Sequence, residues 1–121
     1  MSRSLSENDQ EKLFDLDFLS GNLGNDESIR RQLIQVFLST SGEIISQMEE
    51  KLLTGDTDDY RKLSHKIYPS LKLLGMDWAA NTITSISAAL KEGADTSSQL
   101  PAFRAFSAKM EKSFTELQAW A

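Results

Sequence analysis

Residues 33–53 read LIQVFLSTSGEIISQMEEKLL, and this stretch decides the fold class. Its apolar residues recur at spacings of three, four and seven, which places them on one stripe of an α-helix. Two neighbouring rows form the stripe: Leu33, Phe37, Ile44 and Met48, and beside them Ile34, Ile45 and Leu52. Asn25 or Asp26 can cap the start of this helix and Gly55 can end it. The pattern therefore predicts a helix of about 27 residues.

Three later stretches repeat the helical spacing. The first begins at a cap on Thr57 or Asp58 and ends at Gly75, and the second begins at a cap on Asp77. The last contains Pro101, which we expect in the first helical turn because proline suits that position. Their apolar faces are, in chain order, Tyr60, Leu63, Ile67, Leu71 and Leu74; Ala79, Ile83, Ile86 and Leu90; and Phe103, Phe106, Met110, Phe114 and Leu117.

The residues before the first long helix divide into two parts. Residues 1–12 are polar, and we expect them to form a disordered tail or linker. Residues 13–24, LFDLDFLSGNLG, predict a short helix or turn. Four apolar stripes can bury one another, so the sequence predicts an all-α fold: an antiparallel four-helix bundle with a short additional N-terminal helix, forming a single domain over residues 13–121.

The composition excludes several classes of function. The chain has no cysteine and one histidine, so it offers no thiol nucleophile, no disulfide scaffold and no multi-histidine metal site. Its net charge of -5 disfavours general binding of nucleic acid. No segment approaches the roughly 20 apolar residues that span a bilayer, and the first residues lack the apolar core of a secretory signal. We therefore expect a cytoplasmic protein without a metal site and without direct membrane contact.

The single histidine, His65, lies on the predicted second helix, opposite the apolar face. At 100° per residue, the imidazole points about 165° away from the centre of that face, into solvent. Between Tyr60 and Gly75 there is no acidic residue, but there are four basic ones: Arg61, Lys62, Lys66 and Lys72. A basic surface suits an anionic group such as a phosphoryl group, and neutral imidazole is a nucleophile. The competing interpretation is an ordinary surface histidine on a solvated basic face.

Pro69 is the second unusual residue of this helix. It removes the hydrogen bond that would reach the carbonyl of His65, at a cost of roughly 3 kcal/mol in a helix interior. We expect either a kink at this point or a surface shaped by the compact proline ring, one turn from the imidazole.

The segment LSHKIYPSLKLLG, residues 63–75, resembles the phosphoacceptor helix of histidine-containing phosphotransfer (HPt) domains. The usual pattern of that family is His-x-Leu-Lys-Gly, with a further glycine ten residues after the histidine. His65, Lys66 and Ile67 fit the pattern, and Gly75 stands at the expected distance. Two positions depart from it, because Tyr68 replaces the lysine and Pro69 replaces the first glycine. The resemblance extends over about residues 13–120.

The resemblance implies a phosphorelay carrier. In such domains the histidine accepts a phosphoryl group from the aspartyl phosphate of a receiver domain and passes it to another receiver. For this chain, it implies that His65 is the phosphoacceptor and that Lys72 and Lys66 stabilise the phosphoryl group, with Lys72 compensating for the missing lysine. The surface that binds the receiver would include Arg61, Lys62, Tyr68 and Pro69.

The resemblance also implies partners and cofactors. The partners are receiver (response regulator) domains and possibly a hybrid sensor histidine kinase, and the carrier itself is expected to be monomeric. The chain has no glycine-rich phosphate loop, so we expect neither ATP binding nor autokinase activity. It needs no cofactor of its own, since Mg²⁺ belongs to the receiver. Two alternatives stay open: an HPt-like interaction module that has lost phosphotransfer, with Tyr68 and Pro69 as signs of the loss, and a purely structural helical domain.

Overall fold

The computed structural model describes residues 12–17 and 26–121. Within these residues it contains four α-helices and no strand, so the predicted all-α class is confirmed. The helices are α1 (Glu27–Thr54), α2 (Thr57–Leu73), α3 (Asp77–Lys91) and α4 (Thr96–Leu117), followed by a 3-10 turn at Gln118–Trp120. The predicted short N-terminal helix is not tested, because residues 18–25 lie outside the described residues and residues 13–16 are not helical. The predicted tail also lies outside them, except for Lys12.

Each of the four helices packs against two others, which closes the bundle. α1 packs against α2 and α4, and α3 packs against the same two helices. Loops of two to four residues join successive helices, which makes neighbouring helices antiparallel. The four-helix bundle predicted from the apolar stripes is therefore confirmed.

The core contains most of the predicted apolar residues. Its buried members on the helices are Ile34, Phe37, Ile45, Met48 and Leu52; Tyr60, Ile67 and Leu71; Ala79, Ala80, Ile83, Ile86 and Leu90; and Phe103, Phe106, Met110 and Leu117. Across the bundle, the ring of Tyr60 meets that of Phe103 edge to face at 6.0 Å between centroids. Four predicted residues are only half-buried at the margin of the core: Leu33, Ile44, Leu63 and Phe114.

α1 begins and ends as predicted. The carboxylate of Asp26 accepts a hydrogen bond from the Ile29 amide, and Gly55 ends the helix in the left-handed region. The start of α2 differs from the prediction, because Asp56 rather than Thr57 or Asp58 is the cap. Its carboxylate accepts a hydrogen bond from the Asp59 amide at 3.0 Å. Three adjacent residues that can all cap a helix make this assignment ambiguous from sequence.

The starts of α3 and α4 also differ from the prediction. Met76, not Asp77, is the residue that precedes α3. α4 begins at Thr96, so Pro101 lies in its second turn rather than its first. The Ser98 hydroxyl donates to the carbonyl of Asp95 at 2.6 Å, a local bond at the start of this helix.

The N-terminal segment 12–17 packs against the turn between α2 and α3. The Asp15 amide donates to the Leu74 carbonyl at 2.9 Å, and the Trp78 indole donates to the Leu13 carbonyl at 2.7 Å. Gly75 has φ of 68°, and a Cβ added to it would lie 2.5 Å from the Cβ of Asp15. Glycine is therefore required at this position for its backbone conformation and for the close approach of the segment.

Candidate functional site

His65 lies on the outer side of α2, with its side chain exposed. The opposite side of the helix holds it in the bundle through its buried residues: Tyr60, Ser64, Ile67 and Leu71. The exposure agrees with the helical spacing of the sequence. Because the core contacts belong to other residues, the imidazole is accessible to a partner while the helix beneath it is fixed.

On one side of the imidazole lies a basic depression. It is an open depression of about 370 Å³ lined by Asp58, Arg61, Lys62 and His65. Side chains of an α-helix lean toward its N-terminus, so the imidazole lies over the turn that carries Arg61 and Lys62. The structure therefore brings these two predicted partner-binding residues together with the predicted phosphoacceptor.

On the other side, His65 borders a cleft between α2 and α3. The cleft has a volume of about 250 Å³ and is lined by Ser64, His65, Tyr68, Thr84 and Ser87. The Ser87 hydroxyl oxygen is buried and has no hydrogen-bond partner among the described residues. The two α3 residues of this cleft were missed by the sequence analysis. Only their spacing of three could have placed them on one helix face, and nothing in the sequence indicates that this face meets His65.

The predicted phosphoryl-stabilising residue Lys72 forms an ion pair. Its ammonium group is 3.0 Å from a carboxylate oxygen of Asp77, at the start of α3. The hydrogen bond to Asp77 raises the pKa of Lys72. With Tyr68 and Pro69 it borders an open depression of about 620 Å³ that His65 does not line. The predicted cation for the phosphoryl group is thus paired with a carboxylate, and His65 is not among the residues that line the depression beside it.

Three other basic residues lie near His65 in the sequence of α2. Within the described ranges, Arg61, Lys62 and Lys66 take part in no ion pair with a carboxylate. By contrast, five other basic residues do: Lys12, Arg31, Lys51, Lys72 and Arg104. In the depression, Arg61 and Lys62 lie with one carboxylate, that of Asp58, so its lining keeps a net positive charge. Such a surface favours the approach of an anionic group.

Pro69 does not end α2. The helix continues from Thr57 to Leu73 through the proline, which is exposed next to Tyr68. Because proline has no N–H group, the carbonyl of His65 lacks the usual donor four residues later. Both residues that depart from the family pattern therefore lie at the surface, about one turn from the imidazole, and not in the core.

The described part of the chain contains no group of three His, Cys, Asp or Glu side chains arranged to hold a metal ion. Among its helices, none combines the length and the apolar character needed to cross a membrane. Comparisons with protein-family models, with curated proteins and with solved structures find no match. The functional conclusion therefore depends on the chemistry of the residues around His65.

Proposed function

We propose that this protein is a phosphoryl carrier of the HPt type, which accepts a phosphoryl group on His65 from a receiver domain and passes it to a second receiver. The observation that supports this proposal best is the setting of the single imidazole. His65 is exposed in the middle of a fixed helix, near three cations that form no ion pair with a carboxylate of the described residues. An exposed nucleophile among donors for anionic oxygens is what transfer between two proteins requires.

The transfer exchanges one phosphorus bond for another. A ring nitrogen of neutral His65 attacks the phosphorus of the aspartyl phosphate with its lone pair. The phosphorus–nitrogen bond forms as the bond between phosphorus and the aspartyl oxygen breaks, and the electron pair of that bond leaves with the carboxylate. Transfer to the second receiver reverses the sequence with a new aspartate. No oxidant or other co-reactant is needed, and catalysis consists of positioning and charge stabilisation.

The two proteins divide the work between them. The receiver supplies the acidic pocket and Mg²⁺, which supports the expectation that this chain needs no cofactor. This chain supplies the nucleophile, the basic depression beside it and a docking surface that includes Tyr68 and Pro69. A carrier coupled to receivers in this way acts in the cytoplasm, as a free protein or as a domain of a hybrid sensor histidine kinase.

The decisive experiment uses the fact that the chain has one imidazole. A receiver charged with radioactive phosphoryl is mixed with the protein, and the label on the protein is tested for stability in base and lability in acid. We expect label on the wild type and none on His65→Gln, which should remain folded because His65 makes no core contact. Arg31→Ala on α1 is the matched surface control and should label like the wild type.

A panel of receivers separates the carrier from the interaction module. An interaction module binds a receiver without accepting label, and the depression beside Tyr68 and Pro69 would serve it equally well. A receiver that binds tightly, transfers to an established HPt domain and leaves His65 unlabelled would contradict the carrier function.

A further inference from the structure

A phosphoryl group on His65 needs a positive partner from this chain. The group carries negative charge on three oxygens, and charge-assisted hydrogen bonds to such oxygens are the strong ones. Tyr68, one turn after His65, offers a neutral phenol. Lys72 offers charge, but its ammonium is already bonded to Asp77 at 3.0 Å. Moving it to the imidazole would break that pair.

Helix geometry also separates Lys72 from the imidazole. Seven residues correspond to about 10 Å along a helix axis, whereas the four residues between Arg61 and His65 correspond to about 6 Å. The imidazole leans toward the N-terminus of α2, and thus toward Arg61. Asp77 lies beyond the C-terminus of α2 and holds the Lys72 ammonium on that side.

The basic depression contains two cations, and their settings differ. Arg61 is half-buried, whereas Lys62 is exposed. A half-buried side chain has less freedom to lose when it binds a ligand. The planar guanidinium of arginine can also donate two parallel hydrogen bonds to two phosphoryl oxygens, which an ammonium group cannot do. Asp58 shares the depression but forms no ion pair with Arg61 in the described structure, so binding would not break an existing pair.

We infer that Arg61 binds the phosphoryl oxygens of phosphorylated His65, an assignment that rests on the proposed function. In this arrangement Lys62 adds positive charge at the rim of the depression. Lys72 instead pairs with Asp77 at the start of α3. This chain thus supplies the cation from the helical turn before the histidine. The family pattern, by contrast, places its lysine in the turn after the histidine.

The test charges His65 without any receiver. Phosphoramidate is a small donor: its phosphorus–nitrogen bond breaks as the bond to the imidazole forms, and ammonia leaves with the electron pair and a proton. Phosphorus NMR then follows a pH titration kept at neutral and alkaline pH, because the phosphorus–nitrogen bond hydrolyses in acid. The titration gives one apparent pKa to which the phosphoryl group and its imidazole both contribute, called the phosphoryl pKa below. A nearby cation lowers this pKa because it disfavours protonation of either group.

Removing Arg61 should therefore raise the phosphoryl pKa. We expect an increase of roughly half a unit in Arg61→Ala, since the site is partly open to solvent. Arg61→Lys should give a smaller increase, because it retains the charge but loses the paired hydrogen bonds. Lys72→Ala and the Arg31→Ala control should leave the phosphoryl pKa at the wild-type value. Far-ultraviolet circular dichroism checks that each variant is folded.

The outcomes distinguish this assignment from the proposed function. An unchanged pKa in folded Arg61→Ala, an increase in Lys72→Ala, or a wild type that phosphoramidate cannot label would each overturn the role of Arg61. If Arg61→Ala raises the pKa as expected but no receiver charges the wild type, Arg61 still binds the phosphoryl group and the relay function alone fails.

Discussion

Substitution of Gly75 by alanine is expected to destabilise the protein more than the same substitution at Gly55. Both glycines follow a helix with positive φ, 68° and 80° respectively. An L-residue in this region costs roughly 1–2 kcal/mol. Their surroundings differ, because a Cβ on Gly55 would meet only the Thr96 hydroxyl at 3.9 Å. On Gly75 it would lie 2.6 Å from the carbonyl oxygen and 2.7 Å from the nitrogen of Asp15, and backbone atoms cannot simply rotate away.

The additional cost at Gly75 is limited by the free energy with which the N-terminal segment docks. If the clash cannot be relieved, residues 13–15 detach. They lose the burial of Leu13, which is 7% exposed, the partial burial of Phe14 and two hydrogen bonds. Burial of the two side chains stabilises by about 3 kcal/mol together, and each hydrogen bond by about 1 kcal/mol. Freeing these three residues returns about 4 kcal/mol of conformational entropy. The net difference between the two variants is therefore about 1 kcal/mol.

Two measurements test this reasoning. Urea denaturation followed by circular dichroism gives the free energy of unfolding, with an expected loss of about 2–3 kcal/mol for Gly75→Ala and about 1–2 kcal/mol for Gly55→Ala. The indole N–H resonance of Trp78 reports on its hydrogen bond to Leu13 and should move only in Gly75→Ala. Equal losses of stability together with an unmoved indole resonance would refute the close approach of the segment to Gly75.

Tyr60→Phe should raise the free energy of unfolding by about 1 kcal/mol, because it removes a buried hydroxyl with no hydrogen-bond partner among the described residues; lower stability in urea would contradict this. Burial also raises the pKa of Tyr60, so above about pH 10 the unfolded chain releases a proton that the native chain retains. Stability should fall with rising pH there, and less steeply in Tyr60→Phe. Pro69→Ala restores a hydrogen-bond donor for the His65 carbonyl, so it should raise the free energy of unfolding by about 1–3 kcal/mol and with it the midpoint of thermal unfolding. A lower midpoint would show that the proline fits α2 without strain.

The bundle was predictable because its determinants are local. The apolar stripe of α1 and its cap at Asp26 each depend on residues that lie close together in the sequence. The helical spacing of apolar residues indicates the stripe directly. The exposure of His65 follows from the same period. The first residues of the helices were less predictable, because several adjacent residues can each serve as the N-cap. At α4, the preference of proline for a first turn misplaced Pro101, because the helix gains another turn before it.

The candidate site was predictable only where it belongs to one helix. Arg61 and Lys62 lie one turn before His65 on the same side of α2, so their proximity follows from spacing. The cleft with Thr84 and Ser87 depends on how α3 packs against α2, which no local pattern specifies. The pairing of Lys72 with Asp77 depends on the turn at Gly75, whose left-handed conformation brings the start of α3 back toward the end of α2.

The buried side of α2 stabilises the fold, whereas its exposed side carries the proposed phosphoacceptor. Tyr60, Ile67 and Leu71 are almost wholly buried and hold the helix in the bundle. His65 is exposed and contributes no core contact, and surface substitutions of this kind usually change stability by less than about 0.5 kcal/mol. The stability of the fold therefore depends little on an imidazole at this position. Because His65→Gln leaves the buried side of α2 intact, its failure to accept a phosphoryl group would measure lost chemistry and not unfolding.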